Sequence, residues 1–410
     1  MRSVAQRGIF VLLTGCLVLP NSAHARGPQP SPEQQAFSKA LQRALPAAAK
    51  PSDGTASGKL GDGRMRRANR VAAEILEQRM AQTRTSDLKL LRQAGVADVI
   101  VVRGSYDRVQ DVLRALKVKH VVVPPHLVAR LPLMSTQTLM INCPGHLNQA
   151  GIAAVRRFVK TGGYLVTTDW ALTTVARAFP GFITRGGRNT GNDVVKVHIH
   201  DLDDPWLKQI KTMKQKPRWW LESSSYPIRI LDKQKVRVLI SSDEMRKRYG
   251  YGPIAVSFRH DDGKVLHMTS HFYLQQGKTG TGKEKAKGSY FARSAGLKAD
   301  QIKALKGKGL DSVRSGDLNS AYSMQQVTAN VLVTKQADNR ELLKRYGKRA
   351  RRSVRLDSSA SVKGQPGKGQ PASKKVDKDY RLRVLKQQGK RVQVRDLFGN
   401  EGWVDKDELY

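Results

Sequence analysis

Residues 138–180, TLMINCPGHLNQAGIAAVRRFVKTGGYLVTTDWALTTVARAFP, constrain the fold more than any other stretch, because they read as strand, helix, strand and helix with almost no slack. Thr138 to Asn142 is a short apolar run, and Ile152, Val155, Phe158 and Val159 recur near helical spacing before Gly162 and Gly163 stop the helix. Tyr164 to Thr167 resumes the sheet, and a second helix follows at once through Thr168, Asp169 and Trp170. A strand that turns straight into a helix makes a tight corner at the carboxyl edge of a parallel sheet, where doubly wound proteins place ligands and nucleophiles.

The neighbouring stretches extend the same unit. Val99 to Val102, a turn at Gly104, a helix over Tyr106 to Leu116 and a strand over His120 to Val123 form a preceding strand, helix and strand. Val194 to Ile199, Val236 to Ser241, Ile254 to Phe258 and Val265 to Thr269 are further strands, the last two a hairpin turned by Asp262 and Gly263, so the sheet is mixed. An amphipathic helix at 64–85 leads into this core, which spans 86–346. Residues 277–309, rich in Lys and Gly, read as a basic, mobile insertion, and residues 319–346 as a helix returning to the core.

Beyond the core the composition changes. Residues 26–63 read as a flexible linker, and 347–379 as a basic linker containing Arg351 and Arg352 and a candidate first strand for a small C-terminal module at 380–410. Residues 1–25 carry Arg2 and Arg7, an apolar run from Ile9 to Leu19, and Ala23-His24-Ala25, the pattern of a cleaved secretory signal. The alternative is a lipoprotein anchored at Cys16, since Leu13 to Cys16 resembles a lipobox. Either route carries the chain out of the cytoplasm, to a secreted or periplasmic location. The formal charge of +39 then favours anionic envelope polymer, cell-wall material or, peripherally, a membrane surface over any specific nucleic acid.

The order of elements, together with FVKTGGYLVTTDWAL and GKVLHMTSHF, resembles the class I glutamine amidotransferase-like superfold, within it the non-glutaminase branch that includes ThuA-like proteins. GNEGWVDKDEL resembles the closing strand of a bacterial SH3-like domain. The expected fold class is therefore α/β, a flavodoxin-like doubly wound mixed sheet with a small all-β SH3-like barrel at the C-terminus. For activity the resemblance points away from glutaminase, since a glutaminase needs a nucleophilic Cys on the corner with a His and a Glu two residues beyond it. Here the corner holds Asp169, and the best histidine, His271, is followed two positions on by Tyr273.

Asp169 and His271 are thus the catalytic candidates for a ThuA-like hydrolase of carbohydrates or amides. Cys143 precedes Pro144 and Gly145 one strand too early for the elbow and reads as a structural thiol. His198 and His200, one residue apart on a strand, share a face as metal ligands do, without an evident third ligand, so no metal or cofactor is expected. GKTGTGKE at 277–284 departs from a phosphate-binding loop by placing Glu284 where Ser or Thr is needed. Trp170, Arg351, Arg352 and Trp403 are the candidate ligand-binding residues. The function expected from the sequence is a secreted, non-catalytic scaffold of the cell envelope.

Overall fold

The computed structural model describes residues 62–95, 98–201, 203–210, 218–269, 271 and 282–349, and toward the C-terminus 353–355, 360–362, 374–376, 381–395 and 401–408. The signal, Cys16, the 26–61 linker, Arg351 and Arg352 lie outside the described residues. Among those described, no helix is long and apolar enough to cross a membrane.

The chain opens with α1 (Asp62–Thr83) and α2 (Thr85–Arg92). Next come β1 (Val99–Val102), α3 (Val109–Ala115), β2 (Val121–Val123), β3 (Thr138–Ile141), α4 (Gln149–Lys160), β4 (Tyr164–Thr168) and α5 (Leu172–Ala178). Five strands follow: β5 (Ile183–Arg185), β6 (Asp193–Lys196), β7 (His198–Ile199), β8 (Arg218–Leu221) and β9 (Ile228–Ile230). Then come β10 (Val236–Ser241), α6 (Asp243–Tyr249), β11 (Pro253–His260) and β12 (Gly263–Met268).

The eight-stranded sheet has the order β2-β1-β3-β4-β12-β11-β10-β7. From β2 through β12 every neighbour is parallel, and β11, β10 and β7 add on antiparallel. The parallel part has the strand order of a flavodoxin-type doubly wound sheet, with its switch point between β1 and β3. Strand alternation explains why both faces need helices. Val99, Val101, Met140 and Val166 point into one apolar cluster, which they share with α1, α3 and the long C-terminal helix. Ile100, Val102, Leu139, Ile141 and Leu165 point into the other, against α4 and α5. Helix α4 starts where the Asn148 side chain accepts from Gly151 N at 2.8 Å, and it buries Ile152, Val155, Phe158 and Val159. The expected strand at 194–199 is divided: β6 pairs with β8 in a separate ribbon, while β7 joins the main sheet.

The segment expected as a mobile insertion at 277–309 is largely folded where it is described. It forms α7 (Gly282–Lys285), α8 (Gly288–Ser294) and α9 (Ala299–Lys306), with Phe291, Ala292, Ile302, Leu305 and Leu310 buried. The lysines occupy the outer faces of these helices, so basic composition concealed an amphipathic pattern. Helix α10 (Ser315–Arg349) then packs along α1. Polar groups are matched across that contact, with Gln325 Nε2 donating to Asn69 Oδ1 at 3.0 Å and Arg84 Nη2 to Asn330 Oδ1 at 2.8 Å.

The expected 347–379 linker also carries structure. Strands β13 (Ser353–Arg355), β14 (Ala360–Val362) and β15 (Lys374–Val376) fall within it, followed by β16 (Arg381–Gln388), β17 (Arg391–Arg395) and β18 (Glu401–Asp405). Four of these form an antiparallel sheet, β13-β16-β17-β18, and β14 pairs with β15. Val392, Val394, Trp403 and Val404 are buried apolar side chains among its described residues.

Candidate functional site

The parallel register decides what meets at the carboxyl edge. Ile141 of β3 lies beside Thr167 of β4, and Thr167 lies beside His267 of β12. Cys143 and Asp169 each sit two residues beyond that level and His271 four, so three strands discharge their next residues into one corner. The loop after β1 closes it from the other side. Ser105 N and Tyr106 N both donate to Cys143 O, at 3.0 and 3.1 Å. Gly104 permits this approach, since a Cβ there would stand 2.1 Å from Cys143 O.

Asp169 has the elbow conformation, with φ of 46°. It is 2% exposed, and its carboxylate is fully engaged: Tyr226 N donates at 2.9 Å, Ser225 Oγ at 3.1 Å, and His271 Nε2 lies 3.1 Å away. The other ring nitrogen of His271, Nδ1, lies 2.5 Å from Glu222 Oε2. The imidazole is therefore clamped between two carboxylates. Burial alone would lower its pKa, but Asp169, Cys143 and Glu222 around the ring outweigh burial and hold it well above the ordinary histidine value. Burial pushes the Glu222 carboxyl up, an effect that the bond to His271 partly offsets.

Cys143 is 1% exposed and its Sγ lies 3.9 Å from Asp169 Oδ2. Burial pushes its thiol up, while His271 and the backbone N–H of Trp170 work the other way. The ligand atoms of Cys143, Asp169 and His271 all lie within 4.8 Å of one another, and they are the one such His, Cys and carboxylate group among the described residues. Below the corner, Asp107 is fully buried and accepts from Thr168 Oγ1 at 2.7 Å.

An aromatic face covers the corner. Trp170 stacks on Tyr226 at 5.6 Å and meets Tyr106 edge-on at 5.2 Å. Its Nε1 donates to Ser224 O at 2.7 Å, and the Arg185 guanidinium lies over the Tyr226 ring at 4.4 Å. Tyr106 is 51% exposed.

The candidates from the sequence thus separate. Asp169 and His271 come together, with buried Cys143 beside them, its Sγ 3.9 Å from Asp169 Oδ2. Trp170 lies on the covering face. His198 and His200 do not form a metal group: His198 Nε2 pairs with Asp243 at 3.2 Å, and His200 Nε2 bonds Ser241 Oγ at 2.7 Å. Trp403, on β18 of the C-terminal sheet, is buried at 7% exposure. Glu222, Ser225, Tyr226 and Tyr106 were not anticipated. Glu222 arrives at His271 Nδ1 from the end of β8, far from the histidine's own segment.

No protein-family model matches the chain, and no curated protein matches it. Similar solved structures include a GMP synthase-type protein from Thermoplasma acidophilum, 11% identical, covering 60% of this chain and 96% of that one with a TM-score of 0.36. A glutamine amidotransferase from Thermotoga maritima is 8% identical, covering 58% and 97% with a TM-score of 0.34. A ThuA-like protein from Bacteroides uniformis is 13% identical, covering 43% and 82% with a TM-score of 0.31.

Proposed function

We propose that the protein is an exported binding protein of the cell envelope, and that its central corner does not perform acyl transfer. The observation that carries this reading is the engagement of Asp169. A nucleophile at an elbow must be presented to substrate beside a free base and beneath open oxyanion donors. Here the elbow carboxylate is occupied by Ser225, Tyr226 and His271. His271, held protonated between its carboxylates, has no lone pair with which to act as a base near neutral pH.

Binding falls to the surface. The charge of +39 attracts polyanions, and the aromatic face of exposed Tyr106 with half-buried Trp170 and Tyr226, beside Arg185, suits sugar rings carrying anionic groups. The C-terminal sheet, with its GNEGWV strand, is read as an SH3-like targeting module. Retention of the full chain on isolated cell-wall polymer should fall steeply as salt rises to about 1 M, where the screening length shrinks to about 3 Å. Replacing Tyr106 and Trp170 together by Ala should weaken retention about tenfold, the usual scale for aromatic anchors. Retention indifferent to salt, or release of ammonia from glutamine that disappears in Asp169→Asn, would overturn the reading.

A further inference from the structure

We propose that Cys143, Asp169 and His271 form a binding site for a divalent transition-metal ion of the Zn2+ type. The three side chains supply one thiolate sulfur, one carboxylate oxygen and one imidazole nitrogen, a donor set suited to Zn2+. With bond lengths of about 2.0 Å to nitrogen and oxygen and about 2.3 Å to sulfur, a tetrahedral ion holds its donors about 3.3 to 3.6 Å apart. Asp169 Oδ2 lies 3.1 Å from His271 Nε2 and 3.9 Å from Cys143 Sγ, so small side-chain adjustments reach that geometry.

The surroundings are those of a supported metal site. Metal-binding histidines nearly always give their second ring N–H to a carboxylate, carbonyl or water, which fixes the tautomer and leaves the other nitrogen for the ion. Glu222 does this at His271 Nδ1, leaving Nε2 toward Asp169 and Cys143. Asp169 is oriented by the Ser225 hydroxyl and the Tyr226 N–H. The Trp170 N–H favours the Cys143 thiolate that a metal requires. Each prospective ligand thus has its own outer partner.

Charge points the same way. Asp107 and Asp169 lie close enough to Glu222 to raise its proton affinity electrostatically, and the second oxygen of Glu222 has no hydrogen-bond partner among the described residues. One imidazolium stands between two buried carboxylates, Asp169 and Glu222. A divalent ion in the place of the proton between Nε2 and Oδ2 balances them more fully. Three protein ligands leave a fourth position open, the composition of a reactive or ligand-receiving metal rather than of a closed structural one.

The test is titration of the full chain, after treatment with chelator, with Zn2+ by calorimetry and with Co2+ by absorption. One ion per chain is expected, with a thiolate-to-Co2+ charge-transfer band and the intense visible bands of a tetrahedral site. Cys143→Ser should abolish the charge-transfer band, with folding checked by circular dichroism. Glu222→Gln should keep the band and weaken Zn2+ by about 10- to 100-fold, the effect of losing an outer partner. His198→Ala with His200→Ala should change neither. Absence of the thiolate band in the wild-type chain, or Zn2+ affinity unchanged in Cys143→Ser, overturns the proposal. The result is independent of polymer retention, so the metal site and the envelope-binding reading succeed or fail separately.

Discussion

Acid should weaken the fold at the tie beneath the corner, His267. This residue faces Thr167 across the β12–β4 pair, and its Nδ1 meets Thr167 Oγ1 at 2.8 Å. It is 0% exposed, and burial pushes its pKa from 6.5 down to about 3. A histidine with a lowered folded pKa contributes stability that is fully present above the unfolded value and is lost as pH falls through it, because the unfolded chain takes up the proton first. At about pH 4.5, two units below that value, the loss is about 3 kcal/mol at roughly 1.4 kcal/mol per unit. His271 has the opposite sign: its pKa is raised, so its contribution is present at low pH and is lost as pH rises through the folded value. Urea unfolding at about pH 7.5 and about pH 4.5 separates the two when the wild type is compared with His267→Gln, whose amide can keep a bond to Thr167. On acidification the variant should lose about 3 kcal/mol less than the wild type. Equal losses in both would refute the assignment of a neutral, deeply buried imidazole to this position.

Two further outcomes follow from the same corner. In chelator-treated protein near neutral pH, Cys143 should resist iodoacetamide and react readily once urea unfolds the chain, because burial both covers the thiol and raises its pKa; stoichiometric labelling of the folded chain at the rate of a small thiol would contradict this. Gly145→Ala should lower stability by about 2 to 4 kcal/mol, from left-handed strain and overpacking together. Gly145 has φ of 66°, and an added Cβ would stand 2.6 Å from Ala171 Cβ and 2.8 Å from Ile141 Cγ2. An unchanged urea midpoint would mean that the β3 loop does not pack on the elbow as described.

The parts of the structure legible in the sequence are those fixed by local pattern. Apolar runs of strand length alternating with helical periodicity were enough to place β1 through β4 and the elbow. They also placed Asp169 at the end of a parallel strand, where ligands gather, whereas His271 was reached through the resemblance rather than through the strand pattern. Cys143 needed one more step. Being one strand early is no separation once β3 and β4 are neighbours in register, a fact of strand order rather than of spacing. Glu222 carried almost no local signal, for a lone acid before Ser223 and Ser224 looks like any polar turn. What brings it to His271 is the course of the chain from β8, which no local spacing rule encodes. In residues 282–312 the lysines dominated the composition, yet Phe291, Ile302, Leu305 and Leu310 held the real information, because a few well-spaced apolar side chains suffice to dock short helices.

The elbow shows how contacts hold a disfavoured backbone conformation in place. A non-glycine residue at φ of 46° is disfavoured by about 1 to 2 kcal/mol, and it persists only where its surroundings determine it. Aspartate is among the residues that tolerate this region best. Here the determining contacts come from the Ser225–Tyr226 segment and from His271, which together meet both carboxylate oxygens. The side chain is thereby held in one place by charge rather than left poised for attack. A carboxylate buried in this way demands a cation beside it at every pH where it is ionised, and His271 meets that demand with one proton. The same demand can be met by a metal ion held by Asp169, Cys143 and His271, so the strained corner and the proposed metal site have a single physical origin: a fixed negative charge placed where the sheet converges.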